Sequence, residues 1–352
     1  MTQRLSLLRP VPGEKAVGRY PQTFDDKTST KILAAFQSSL FPTLRQDTLE
    51  RVLPVVADQH PFHPIRQHLQ EIKWDGISRL DYWLHRYLGA ADTPYTRKIG
   101  AMFLMMMIER VFNPGCKADY MLVLEGEQGA QKSKACRILA RPAYFSDGLP
   151  NIAKNAKDAQ VHIAGKWLIE VAELFAFRHS HPTESKNFLT QCDQVYRRPY
   201  GRHEVTEPRQ CVFIATTNEY YYLRDTTGNR RYWPVDTGKI ELKRLEADRD
   251  QLLAEAFVRR RLKRECYWPN RKFEVKYIVP EQRARLRQNE TVSDVLDYLE
   301  NQKPAEVRLR DLRDELGWAA DWDRKRLMVL SALARAGYRS ARGSRHETYL
   351  RK

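Results

Sequence analysis

Gly126-Glu-Gln-Gly-Ala-Gln-Lys-Ser133 is the stretch on which the reading of this chain turns. The run Tyr120-Met-Leu-Val-Leu124 before it is apolar and predicts a buried strand. Cys136-Arg-Ile-Leu139 after it predicts the start of a helix. A strand, a glycine-containing turn and a helix that opens with Lys-Ser offer a nucleotide three things. These are backbone N–H groups, a helix N-terminus, and an ammonium for the terminal phosphates. On this reading Gly126, Glu127, Gln128, Gly129, Ala130, Gln131, Lys132, Ser133 and Lys134 surround the phosphates, with Lys132 on the β/γ-phosphates and Ser133 on magnesium. One position departs from the pattern G-x-x-x-x-G-K-[ST]: Gln131 stands where the second glycine is expected.

Composition narrows the function. The chain has 352 residues, enough for two domains, and 30% of them are charged. A formal net charge of +16 points to nucleic acid before membranes or acidic proteins. The charge is uneven: residues 259–287 hold eleven Lys/Arg against three acids, and residues 303–352 hold thirteen against seven. Cys116, Cys136, Cys192, Cys211 and Cys266 are scattered with no C-x-x-C pair, which predicts reduced thiols in a cytoplasm rather than a zinc site or disulfide framework. The pairs His60/His63 and His179/His181 sit beside proline in loop-like sequence and are expected to be surface residues. No signal peptide is expected. The apolar run at 101–108 is too short to span a membrane, so a soluble, cytoplasmic protein is expected.

Residues 1–26 are proline-containing and poor in apolar residues, predicting a disordered or extended N-terminus. Residues 27–114 carry helical periodicity: Leu80, Trp83, Leu84, Tyr87 and Leu88 recur at three- and four-residue spacing, and 99–111 forms a second apolar helix. Strands are predicted at 120–124, 167–171 and 211–216, in a sheet with crossover helices. A β-hairpin turning at Pro199-Tyr-Gly201 separates the last two. Three helices and a short hairpin in residues 290–352 give the layout of a winged helix-turn-helix.

Phosphoryl transfer needs acids for magnesium, a polar group for water, and a cation for developing charge. In Lys166-Trp-Leu-Ile-Glu-Val-Ala-Glu-Leu174 the acids are Glu173, preferred as the one at the strand's end, and Glu170, second; solvent-facing or arginine-paired acids are the alternative. Asn218, at the tip of Cys211-Val-Phe-Ile-Ala-Thr-Thr-Asn218, is either a water-orienting group or a turn residue. Arg230 and Arg231 form either a finger into a neighbouring subunit's site or a salt-bridged or DNA-facing pair. In the hairpin, Arg197, Arg198, Tyr200, Arg202 and His203 combine cations with an aromatic ring, suiting phosphate contact and base stacking; a ring-interface element is the other reading. In the tail, Arg324, Lys325 and Arg326 lie early in the third helix, and Arg339, Arg342 and Arg345 lie in the wing. The module then binds duplex DNA or another protein.

Taken in order, these blocks resemble the virulence-associated protein E family over roughly residues 60–265. His63-Pro-Ile, Lys73-Trp-Asp-Gly76, Tyr95-Thr-Arg97 and Pro114-Gly-Cys-Lys117 resemble it as well. The family comprises P-loop ATPases of phages and mobile islands, similar to superfamily 3 helicases and often linked to primases. The resemblance implies an α/β fold with an AAA+-like core at 115–285. The N-terminal helical region at 27–114 is a candidate collar, and the winged helix follows at 290–352. It also implies ATP and Mg2+ as cofactors and a homo-oligomeric ring, commonly hexameric, on single-stranded or forked DNA. Residues 1–60 lack the clustered acids that primase chemistry needs, so priming, if it occurs, is expected from a separate primase. Lys132 and Ser133 take the Walker A roles, Glu173 with Glu170 the Walker B role, Asn218 that of sensor 1, and Arg230 or Arg231 that of the finger. The function expected is an ATP-dependent helicase or translocase of a prophage or mobile-element replication system. A hydrolytically weak DNA-binding initiator, loader or repressor is the alternative that Gln131 keeps open.

Overall fold

The computed structural model describes residues 6–7, 22–39, 41–174, 182–197, 204–219, 222–223, 229–286, 290–318, 322–340 and 348–351. The chain divides into two compact units, 1–220 with 225–283, and 221–224 with 284–352.

In the first unit, β1 (Ser6–Leu7) pairs antiparallel with β2 (Gln22–Thr23) near the N-terminus. The strands that matter for function are β3 (Met121–Glu125), β4 (Phe145–Ser146), β5 (Leu168–Ala172), β8 (Val212–Thr217) and β9 (Tyr232–Asp236). They form a parallel sheet in the order β4-β5-β8-β3-β9. Its central strands β3 and β8 are buried along their whole length, as their unbroken apolar runs require when both faces are covered. Leaving β3, the chain crosses to the far edge, β4, and returns through β5 to β8. The reversal beside β3 leaves a crevice at the carboxyl ends of the strands, where ligands of open α/β sheets bind. Two of these strands were not expected from sequence. β4 is only two residues long, and β9 contains Pro234. A proline in an apolar run argues against a strand, yet β9 lies at the sheet's edge, where a missing N–H is tolerated.

Between β5 and β8 the chain forms a two-stranded ladder, β6 (Asp193–Arg197) with β7 (Glu204–Pro208), Arg197 opposite Glu204. The expected hairpin is thus present in its two arms. Its turn, at 198–203, lies outside the described residues.

The helix Pro94–Phe112 supplies much of the main core. Thr93 and Thr96 close a reciprocal capping box and Pro94 sits at the first helical position, so its start is fixed by sequence. Met105, Met106 and Met107 are fully buried, and Trp167 donates its indole N–H to the Met107 carbonyl at 2.9 Å, tying the helix to the sheet. Among the described residues no helix is long and apolar enough to cross a membrane. His63 caps the helix Pro64–Glu71, its Nδ1 accepting from Arg66 N–H at 3.2 Å while Nε2 meets Gln210 at 2.8 Å. Burial lowers its pKa, which favours the neutral ring that capping needs. His179 and His181 lie outside the described residues.

The second unit has its own core, built on Val295, Val329, Ala332 and Leu333. The helices Glu290–Gln302, Leu309–Glu315 and Trp322–Arg335 appear where periodicity predicts them. A third strand appears that sequence did not suggest. β10 (Glu306–Arg308) joins β11 (Tyr338–Ser340) and β12 (Thr348–Arg351) in the order β10-β12-β11. Three residues of mixed polarity are too few to show a period-two pattern.

Candidate functional site

The loop after β3 is shaped by three residues with positive φ: Gly126 at 147°, Gly129 at 84° and Gln131 at 69°. At Gly126 glycine is needed twice over, for its backbone and because a Cβ would meet Thr237 Oγ1 at 2.7 Å. Thr237 is held there by donating its hydroxyl to the Glu125 carbonyl at 2.6 Å. Gln131 immediately precedes the helix Lys132–Ala140 and adopts the left-handed conformation, φ 69° and ψ 22°. That is the backbone a glycine would supply freely, so the Gln131 departure is one of side chain and not of loop shape. A residue with a Cβ held there stores on the order of 1–2 kcal/mol. Gln131→Gly is therefore expected to stabilise the fold by about 1 kcal/mol in urea denaturation; a lowered midpoint would show that the Gln131 side chain makes a stabilising contact.

Lys132 is 7% exposed and folds back over the loop, donating Nζ–H to the carbonyls of Gly126 at 2.8 Å and Glu127 at 2.9 Å. Its ammonium is thereby fixed above the turn. Glu127, Gln128, Gly129, Ser133 and Lys134 are exposed around it, and Ala130 is half-buried.

One residue along the helix, Ser133 donates its hydroxyl to Glu170 Oε1 at 2.6 Å. Thr216, on β8, donates to the same oxygen at 2.6 Å. Glu170 lies within β5 and is fully buried; burial raises its pKa, against which the two hydroxyls act. Its other oxygen, Oε2, is buried without a hydrogen-bond partner among the described residues. Glu173, the acid that sequence placed first, falls beyond the end of β5 in a turn with φ 48° and is exposed. Geometry thus brings Glu170, and not Glu173, against Ser133. Asn218 follows β8 and is exposed.

Thr216 was not singled out from sequence. Its signal is that it lies two residues before a strand tip, on the strand adjacent to β5. Thr216→Val removes a donor from a buried carboxylate and is expected to cost about 2 kcal/mol of stability in urea denaturation. Thr216→Ser should recover most of it; an unchanged midpoint would mean that the bond contributes nothing.

Other expected site residues lie elsewhere. Arg230 and Arg231 form a short turn at the start of β9. In the register of β3 with β9, Met121 faces Tyr232 and Glu125 faces Asp236, so the arginines sit at the amino end of the sheet. The loop sits at the carboxyl end, about 16 Å away at 3.3 Å per residue. Arg230 is exposed, and its charge is felt by Tyr120, just before β3. No single chain brings these arginines to its own loop. Arg197 is exposed on β6, while Arg198, Tyr200, Arg202 and His203 lie outside the described residues. In the second unit, Lys325 lies over the Trp318 ring at 4.5 Å and is half-buried. Arg326 and Arg339 are exposed. Arg324 is in the helix with its side chain outside the described residues, as are Arg342 and Arg345 altogether.

Part of the basic excess at 259–287 is internal. Arg259 pairs with Asp81 and Glu265, and Arg260 and Arg261 pair with Glu109.

Fold and site together define an α/β protein with a glycine-containing loop, a buried lysine and a buried acid at the carboxyl end of a parallel sheet. The family model described as virulence-associated protein E-like domain matches residues 69–287, and the chain belongs to that family. Among solved structures it is similar to apo forms of the NrS-1 C terminal region. One has a TM-score of 0.47 at 11% identity, over 81% of this chain and 78% of that one. Two A-form structures have a TM-score of 0.45 at 12% identity; they align over 77% and 75% of this chain and over 66% and 65% of theirs, slightly less than two thirds. No curated protein matches the chain.

Proposed function

We propose that this protein is a P-loop ATPase with an AAA+-like core that acts on DNA as a helicase or translocase in the replication of a phage or mobile element. The observation that carries the reading is the junction of Lys132 on the loop with Ser133, Glu170 and Thr216 on three neighbouring elements. Lys132 binds the β/γ-phosphates, and the helix N-terminus stabilises their charge. Magnesium fits the donors present: a hydroxyl and a carboxylate whose Oε2 is buried without a partner among the described residues. When bound, that ion neutralises phosphate charge and supports attack by water. Ser133 and Glu170 hold it, Thr216 keeps Glu170 turned towards the helix, and Asn218 and Glu173, at the open mouth, orient and deprotonate water.

Arg230 and Arg231 stabilise developing charge on a neighbouring chain's nucleotide. What supports this is their distance from the chain's own loop, which a head-to-tail ring would remedy. A hexamer is the closed ring we favour. The β6–β7 hairpin contacts single-stranded or forked DNA. The second unit acts as a winged helix on duplex DNA, a reading supported by its three helices and three-stranded sheet.

The experiment is ATP turnover by the full chain with and without forked DNA. Turnover stimulated by DNA supports the motor. Nucleotide binding without turnover supports the second reading, a DNA-binding initiator, loader or repressor with weak hydrolysis. The Gln131 side chain, standing where a glycine would let the backbone approach phosphate, is the observation that favours it.

A further inference from the structure

β4 runs beside β5 with Phe145 opposite Leu168 and Ser146 opposite Ile169. Asp147 comes directly after β4, two residues on from Phe145 as Glu170 is two on from Leu168, and its charge reaches Glu170. Both acids meet the helix Lys132–Ala140. Ser133 bonds Glu170, and Arg137, one turn later on the same helical face, pairs with Asp147 at 3.2 Å. Arg137 also lies over the Phe145 ring at 5.2 Å, which fixes its guanidinium beside β4. The Asp147 charge adds to burial in raising the Glu170 carboxyl.

Two carboxylates this close repel unless positive charge is shared between them. Arg137 supplies it to Asp147, which is half-exposed, while Glu170 Oε2 is buried with no hydrogen-bond partner among the described residues. A divalent cation taken up through the Ser133 hydroxyl would meet the Glu170 carboxylate and feel the Asp147 charge. Among the described residues there is no group of three or more His, Cys, Asp or Glu able to hold a metal by itself. Such a site suits magnesium, which keeps several waters and takes one or two carboxylates together with phosphate oxygens.

We infer that Asp147 is the second carboxylate of the magnesium site, accepting hydrogen bonds from the ion's water shell, with Arg137 as its counter-charge within the protein. The inference rests on the nucleotide reading above and adds a residue and a control to it. Arg137 competes with the metal for Asp147, so the two residues have opposite effects on metal affinity.

The test is the magnesium dependence of binding of a fluorescent ATP analogue to the full chain, with manganese electron paramagnetic resonance as a direct count of bound ion. Asp147→Asn should raise the half-saturating magnesium concentration about tenfold and leave binding in EDTA within twofold. Arg137→Gln should lower the half-saturating concentration severalfold, a direction that general damage to the fold does not produce. If both variants keep the wild-type magnesium dependence while the wild type binds nucleotide, Asp147 is a surface ion pair only and the inference falls, with the nucleotide reading intact. If the wild type binds no nucleotide with or without magnesium, the nucleotide reading falls and takes the inference with it.

Discussion

Lys132→Ala is expected to weaken nucleotide binding by at least a hundredfold and to reduce turnover to background. The side chain is nearly fully buried, and its ammonium is already aimed over the loop by the carbonyls of Gly126 and Glu127. Truncation removes the charge that meets the terminal phosphates and also leaves two loop carbonyls without their donor. Losing one partner of a buried, charge-assisted pair costs about 2–5 kcal/mol, which spans roughly thirty-fold to several thousand-fold. Titration of a fluorescent ATP analogue measures the loss. Affinity within threefold of wild type would mean that Lys132 only closes the loop. Lys132→Arg should not rescue, because a forked planar guanidinium does not replace a compact ammonium in so tight a turn.

The second large effect is on the chemical step. Glu170→Gln keeps the size of the side chain and an oxygen able to accept from Ser133 and Thr216, so nucleotide affinity should stay within a few-fold. Turnover should fall about a hundredfold to a thousandfold, the range seen when one electrostatic contact to a developing charge is removed. Glu173→Gln, at an exposed turn, should cost less than Glu170→Gln. The reverse order of effects would return the principal role to the acid at the strand's end. Single-turnover measurement separates these outcomes from defects in product release.

These two predictions differ in how far sequence alone could reach them. The strand, loop and helix around residues 121–140 are legible because an apolar run, glycines and Lys-Ser follow one another, each with a local reason for its place. The ranking of Glu170 and Glu173 is not local. It depends on where β5 ends, and that end is set by pairing with β4 and β8, which lie far away in sequence. Thr216 and Asp147 are hidden for the same reason, since each becomes significant only through its register with β5. The separation of Arg230 from the loop follows from parallel pairing of β3 with β9, and Pro234 masked that strand. Gln131 shows the opposite case. The exception was plain in the sequence, and only the backbone reveals that the loop keeps a glycine's conformation there.

The placement of Lys132 and Arg230 at opposite ends of one strand pair has a consequence for how faults spread. In an assembly where each nucleotide lies between two chains, every polypeptide owns half of two different sites. A copy lacking Lys132 spoils the site on one side of it and still serves the other. A copy lacking Arg230 does the mirror image, and a copy lacking both silences two sites at once. Mixtures of sound and doubly defective chains would then lose sites faster than the fraction of defective chains, singly defective chains would lose them only in proportion, and two differently broken chains could between them restore a working junction. In such an assembly the geometry of a single sheet would set how much damage the whole could carry.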